Sequence, residues 1–211
     1  MDRAMKISVV MPSYLGEYST GPNKSATNRE FKLKRAIDSF LLQIHKDSEL
    51  IIVSDGCQHT IDIVESDYRL FLDESKIKLL KLEKQPLFSG RVRAEGLAHV
   101  TGDLVCYLDS DDMIGPYHLD VMEKYYDRNL QWMYYDDYLY DGNKKTLRTV
   151  TPENCKIGTS SFCHLSSANV CWKDGYGHDW GTISGILGYS HRKMQTPEYL
   201  VCHLSVINLD F

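Results

Sequence analysis

GDLVCYLDSDDM, residues Gly102 to Met113, decides the reading of this chain. Leu104 to Leu108 form an apolar run too short for a helix and rich in strand formers, which predicts a buried strand. The run ends in Asp109-Ser110-Asp111-Asp112, three carboxylates within four residues. Carboxylates this close repel one another unless positive charge lies among them. A hard divalent cation with oxygen ligands is the common solution, and such a cation often carries substrate phosphates. In open α/β sheets the ligand crevice lies beyond the carboxyl ends of the strands. Asp and Ser also make good turns and helix caps, so the pattern alone leaves a plain surface turn open.

Upstream, Lys6 to Met11 is an apolar, β-branched run that stops at Pro12-Ser13-Tyr14, and it predicts the first strand. The following LGEYSTGPNKSATN has no periodicity and predicts a long loop, a feature usually tied to function. From Arg29, Leu33, Ile37, Phe40, Leu41 and Ile44 make one apolar helical stripe. Glu49 to Ser54 predicts a second strand ending at Asp55-Gly56, residues 59–73 a second helix, and Lys76 to Leu82 a third strand. A third helix is predicted from Arg91 to Val100, just before the acidic strand. Gly115-Pro116 then predicts a helix with Pro at its first position, and Gln131 to Tyr135 a further strand. This alternation of strand and helix implies βαβ units and a mostly parallel sheet flanked by helices.

The C-terminal part changes character. Residues 137–150 predict a hairpin turning at Asp141-Gly142-Asn143, and 157–165 and 168–172 are short and β-like. A helix is predicted near Asp179, and Glu198 to Ile207 as a last strand. Together these read as a small mixed layer over the open crevice.

Bulk properties narrow the field. A chain of 211 residues supports one well-buried domain. A formal net charge of -5 does not favour nucleic-acid binding, which usually needs a basic face. No apolar run approaches the roughly 20 residues of a spanning helix. The N-terminal apolar run is cut by Pro12 and does not read as a signal peptide. Six scattered cysteines, with Cys106 inside the proposed core strand, predict reduced thiols and a cytoplasmic protein.

VVMPSYLG, LIIVSDGC and RVRAEGLAHVTGDLVCYLDSDD resemble, in order and each at its strand end, the three signatures of the inverting family-2 glycosyltransferases. The resemblance implies a GT-A fold in a single domain spanning 1–211, with a nucleotide-binding half at 1–112 and an acceptor-side half at 113–211. It implies transfer of a sugar from a nucleotide-diphospho-sugar, with UDP as the family's habit, to a saccharide or lipid-linked saccharide hydroxyl. It implies a divalent metal, Mn²⁺ or Mg²⁺. By the same resemblance Pro12, Ser13 and Tyr14 line the nucleoside pocket and Asp55 meets base or ribose. Arg93 matches the arginine before the acidic motif, and the Asn that commonly follows it is Ala94 here. Asp109 and Ser110 would lie against the donor, with Asp111 and Asp109 as metal ligands. Arg91 reads better as a solvated helix residue.

The family's general base commonly lies in an acidic pair before a late helix. GYGHDWGTISGIL, residues 175–187, occupies that place, with His178-Asp179 where Glu-Asp is common. Asp179 would take the acceptor proton, or serve only as a helix cap. His203 is a third candidate metal ligand by resemblance; a lone His in an apolar strand also reads as a core residue. His191-Arg192-Lys193 reads as a lid over the diphosphate or a solvated loop, and Trp172 and Trp180 as sugar platforms or packed aromatics. The chain reads short for the family, which leaves peripheral membrane contact at the inner membrane face and a completing second subunit as expectations. Two rivals remain: a sugar-phosphate nucleotidyltransferase, which would want a Gly-rich basic phosphate loop after the first strand, and a non-catalytic nucleotide-sugar or carbohydrate-binding module.

Overall fold

The computed structural model describes residues 4–16, 27–84, 89–141 and 144–202. The element order begins β1 (Ile7–Ser13), α1 (Arg29–Leu41), β2 (Ser48–Asp55), α2 (Gln58–Asp67), α3 (Arg69–Asp73), β3 (Ile77–Leu82), α4 (Gly90–Leu97) and β4 (Leu104–Tyr107). It continues with β5 (Met113–Ile114), α5 (His118–Tyr125), β6 (Trp132–Tyr134), β7 (Asp137–Tyr140) and β8 (Lys145–Arg148). A short 3-10 turn at Thr159–Ser161 leads to β9 (Phe162–Leu165), α6 (His178–Ile186), β10 (His191–Lys193) and β11 (Tyr199–Val201).

Seven strands form the main sheet in the order β10-β6-β9-β4-β1-β2-β3. β3, β2, β1 and β4 run parallel, as the alternation of strand and helix requires. Successive side chains of these strands point to opposite faces, so each face receives its own core. Ile7, Val9 and Met11 of β1 pack with Leu33, Ile37 and Phe40 of α1 and with Leu119 and Met122 of α5. Val10, Val105 and Tyr107 face the other way, against Ile183 and Ile186 of α6 and the partly buried Ala94 and Leu97 of α4. Each such fully buried Val, Leu or Ile stabilises the fold by roughly 1.5–3 kcal/mol. Pro12 is tolerated at the end of β1 because β4 has already stopped; the last bond on that side runs from Leu108 N–H to the Val10 carbonyl.

A second sheet, β5-β11-β7-β8, is small and mixed, as expected for the C-terminal layer. Its hairpin β7–β8 forms where 137–150 predicted it; Gly142 and Asn143 lie outside the described residues. Strands of both proposed halves contribute to the main sheet, since β9 runs antiparallel between β4 and β6. All six cysteines are free thiols.

Several local expectations are corrected. The helix predicted over 59–73 breaks at Tyr68, where the backbone leaves helical geometry while the hydroxyl donates to the Asp38 carboxylate at 2.9 Å. The helix expected to open on Pro116 starts at His118 instead, and the Pro116 carbonyl accepts from Ile44 N–H. Residues 168–172 form no strand: Ala168, Val170 and Trp172 are buried against the sheet face rather than paired with its edge. His191-Arg192-Lys193 is neither lid nor loop but β10, an edge strand paired with β6. His191 stacks on Trp132 at 4.4 Å, and Lys193 meets Asp136 at 2.6 Å.

A candidate active site at the carboxyl ends of the central strands

The parallel strands β1, β2 and β4 all deliver their carboxyl ends to one edge of the sheet, and the candidate residues gather there. At the end of β1, Pro12 and Ser13 are buried; the Ser13 hydroxyl shares a 2.9 Å hydrogen bond with Thr60 of α2, so it faces the interior. Tyr14 is half-buried, with Lys84 Nζ 4.4 Å from its ring centroid. The same Lys84 pairs with the buried Asp55 at the end of β2. Lys84 thus joins the two strand ends. Gly56 is required there: its φ of 62° is left-handed, and a Cβ would strike the Lys84 backbone. Arg29, from the start of α1, holds the segment after β1 through the carbonyls of Tyr14 at 3.1 Å and Gly16 at 2.6 Å.

The acidic motif at the end of β4 is a turn, closed by Asp112 N–H donating to the Asp109 carbonyl at 3.0 Å. Its carboxylates are not equivalent. Asp112 is buried, accepting from Tyr199 hydroxyl at 3.2 Å and Cys202 N–H at 2.9 Å. Burial, then the charges of Asp111 and Asp109, push its carboxyl well above the usual range. Asp109 and Ser110 are half-buried, and Asp109 is ion-paired with Arg93. Asp111 is also half-buried, with its carbonyl held by Arg35 at 2.5 Å. Lys32 and Arg35, both buried on α1, bring positive charge to this turn. Burial lowers the Lys32 ammonium pKa, and the Asp111 charge acts to raise it.

Arg93 connects the acidic turn to the C-terminal half. It is 3% exposed, with its guanidinium 5.1 Å from the Trp172 ring centroid. One nitrogen reaches Asp109; the other reaches Ser89 and His178 Nε2, the latter at 2.9 Å. Asp179 follows at the first turn of α6, where its Oδ1 accepts from Thr159 at 2.8 Å and lies 3.0 Å from His178 Nε2. Burial raises the Asp179 pKa, but His178, the Arg93 charge and Thr159 outweigh it and hold the carboxyl down at about 2. A carboxylate is stabilised at a helix N-terminus, so the cap and the base readings are compatible. Trp172 is a packed aromatic, buried with its Nε1–H donating to Tyr107 hydroxyl at 2.9 Å, and Trp180 is partly buried against the same cluster. Arg91 is exposed. His203 lies outside the described residues.

Among the described residues, no three His, Cys, Asp or Glu side chains converge as a metal-holding group. A Mg²⁺ or Mn²⁺ arriving with a diphosphate needs only one or two protein carboxylates, phosphate and water supplying the rest. Asp111 and Asp109 fit that donor set; Asp112 is committed to Tyr199 and Cys202. Burial is the main reason that Asp112 is hard to ionise, and the charges of Asp111 and Asp109 add a repulsion that such a cation would relieve.

Sequence reasoning missed Arg35, Lys32, Tyr199 and Thr159. The signal for the first two was present: they lie beside Leu33 and Ala36 on the buried face of α1, where a cation needs a partner.

The comparisons with known proteins agree with this arrangement. Residues 25–193 match the profile described as glycosyl transferase family 2. A Nostoc protein named as an uncharacterized glycosyltransferase is 27% identical over 170 residues, covering 80% of this chain and 48% of its own length. An uncharacterized glycosyltransferase of Haemophilus influenzae is 33% identical over 115 residues, 53% of this chain and 37% of its own. This chain spans about half or less of the length of these curated relatives. Among solved structures, Staphylococcus aureus TarS 1-349 in complex with UDP-GlcNAc superposes with a TM-score of 0.69 at 17% identity, over 94% of this chain and 58% of that one. GalNAc-T7 with UDP, GalNAc and Mn²⁺ gives 0.66 at 12% identity, over 93% and 43%. At such identities the likeness speaks for the fold alone, and that fold is the GT-A arrangement of a mostly parallel sheet between helices. With the family profile spanning most of its residues and the three strand-end signatures on one edge, the chain belongs to glycosyl transferase family 2.

Proposed function

We propose that this protein transfers a sugar from a nucleotide-diphospho-sugar to a hydroxyl acceptor with inversion at the anomeric carbon. The observation that carries the reading is the contact of one buried arginine, Arg93, with both Asp109 of the acidic turn and His178 beside Asp179. A donor end and a base end thereby share one cleft. Asp55 and the end of β1 at Pro12 and Tyr14 take the nucleoside, Ser13 being turned inward to Thr60 instead, and Asp109, Ser110 and Asp111 face the diphosphate. Arg93, expected at the donor, acts chiefly by holding Asp109 in place. Asp179 accepts the acceptor's hydroxyl proton while that oxygen bonds to the anomeric carbon, and the bond to the diphosphate breaks on the opposite face. A divalent cation, held by Asp111 and Asp109, supplies Lewis-acid stabilisation of the leaving diphosphate when bound. UDP is the favoured nucleotide, supported by the UDP-GlcNAc and UDP complexes of the TarS structures. A saccharide or lipid-linked saccharide acceptor, and a place in the cytoplasm at the inner face of the membrane, follow the family resemblance. Among the described residues no helix is long and apolar enough to cross a membrane.

Thermal shift and calorimetry with UDP, GDP, CDP and dTDP, each with and without Mn²⁺, test this reading. A ligand that binds only the native state raises its stability by mass action. Metal-dependent stabilisation by one nucleotide, UDP first, is the expected result. Stabilisation by none of the four overturns the intact donor site and favours a binding module without nucleotide-sugar chemistry.

A further inference from the structure

His178 meets more partners than its nitrogens can serve at once. Nε2 lies 2.9 Å from Arg93 Nη1, 3.0 Å from Asp179 Oδ1 and 3.3 Å from Ser89 Oγ. Nδ1 lies 3.2 Å from the Gly175 carbonyl. A guanidinium only donates, and an ionised carboxylate only accepts. Nε2 therefore needs a lone pair to bond Arg93 and a proton to bond Asp179. The two bonds exclude each other.

We infer that His178 selects between two arrangements of the site according to its protonation. In the neutral ring, Nδ1–H donates to Gly175, Nε2 accepts from Arg93, and the Asp179 carboxylate is left for the acceptor hydroxyl. In the protonated ring, Nε2–H donates to Asp179, occupies the base and sets a positive charge against Arg93. His178 is thus a positioning residue that acts through Arg93 and Asp179. The inference rests on Asp179 being the base.

The neutral arrangement is the one that serves Arg93. Arg93 is 3% exposed, and its Nε has no hydrogen-bond partner among the described residues. Losing His178 as acceptor would leave a further buried donor unmet, which is costly in a site closed over by Trp172. Among the described residues, the charged groups against His178 are Arg93 from α4 and Asp179 from its own helix, with Asp109 behind Arg93. Ser89 is neutral, as is the Trp172 ring at 6.1 Å between centroids. Thr159 and the Arg93 charge stay with Asp179 in both arrangements. The His178 bond, first among the effects that hold its carboxyl down against burial, is present only in the protonated one. Where the family commonly has Glu, a carboxylate would hold Arg93 without this sensitivity.

Two measurements test the inference. Nitrogen NMR of the His178 ring should show Nε2 without a proton on the alkaline side of its titration and Nδ1–H retained. An Nε2–H in the neutral ring overturns the inference, with or without turnover. The second measurement is UDP release from UDP-GlcNAc, water serving as acceptor, across pH in the parent and His178→Gln. Gln offers an acceptor to Arg93 but does not titrate. The parent should lose about tenfold per pH unit on its acid side, the slope of one required deprotonation, and the Gln variant should be flat there. An identical acid limb in both overturns the inference. Failure of Asp179 as base is read separately, from full turnover in Asp179→Asn, which leaves the NMR result standing.

Discussion

Arg93 and Asp109 form an ion pair between α4 and the end of β4, with side chains 4% and 31% exposed. The pair fixes the acidic turn from behind while the opposite edge of the same guanidinium meets His178. Breaking a buried pair by removing one partner is far costlier than replacing both. Arg93→Ala is expected to destabilise the protein by about 3 kcal/mol, the lower end of the range because Asp109 is partly exposed. Urea unfolding measures it; a loss below about 1 kcal/mol, the value of a surface pair, would contradict the buried-pair account.

Asp179→Asn keeps the size of the side chain and its contact with Thr159, but removes the proton acceptor. Turnover of a nucleotide sugar should fall by about 10²–10⁴-fold, while binding of the nucleotide is retained. Steady-state rates set beside calorimetry separate the two, and an Asn variant with parental turnover would remove Asp179 from the mechanism.

Asp111 is one of the two carboxylates of the acidic turn that we propose hold the cation. In Asp111→Ala the Mn²⁺-dependent part of nucleotide stabilisation should vanish, whereas binding without metal changes little. For the parent that stabilisation is about 2.7 kcal/mol at a ligand concentration about 100 times Kd. Equal metal dependence in parent and variant would place the cation elsewhere.

Glu49 predicts an acid-sensitive term far from the cleft. Its side chain is 2% exposed and accepts from Ser8 at 2.6 Å, Thr101 N–H at 2.7 Å and Lys78 at 2.7 Å. Burial raises its pKa, but these bonds outweigh it and hold the carboxyl down at about 2. A depressed folded-state pKa contributes stability above the unfolded value, near 4.3, which is lost as pH falls through the folded one. The term is about 3 kcal/mol at neutral pH, from 1.36 kcal/mol per pKa unit. The stability gap between parent and Glu49→Gln in urea should therefore narrow as the solution is taken from the unfolded value toward pH 2. A constant gap would show that the ionisation is not linked to folding.

Much of the N-terminal frame was legible because its signals are local. Apolar runs of strand length, the Leu33-Ile37-Phe40 stripe and the turn residues at each strand end depend on near neighbours in sequence. They located β1 to β4 and the helices between them, and the order of strand-end signatures identified the family. The same locality explains the errors. The helix that periodicity would continue breaks at Tyr68, whose hydroxyl reaches Asp38 on another helix. His191-Arg192-Lys193 has the composition of a loop and becomes a strand only because β6 offers an open edge.

The sequence by itself determined that strands and helices alternate, which residues end each strand, and that acidic groups would gather at those ends. The tertiary structure alone decided how those groups divide the work. Asp112 is turned inward by Tyr199, a partner 87 positions away, and Arg93 meets His178 across 85. Contacts of that separation leave no period or spacing in the chain. They arise from burial, which forces each desolvated charge to find a partner wherever the sheet brings one within reach.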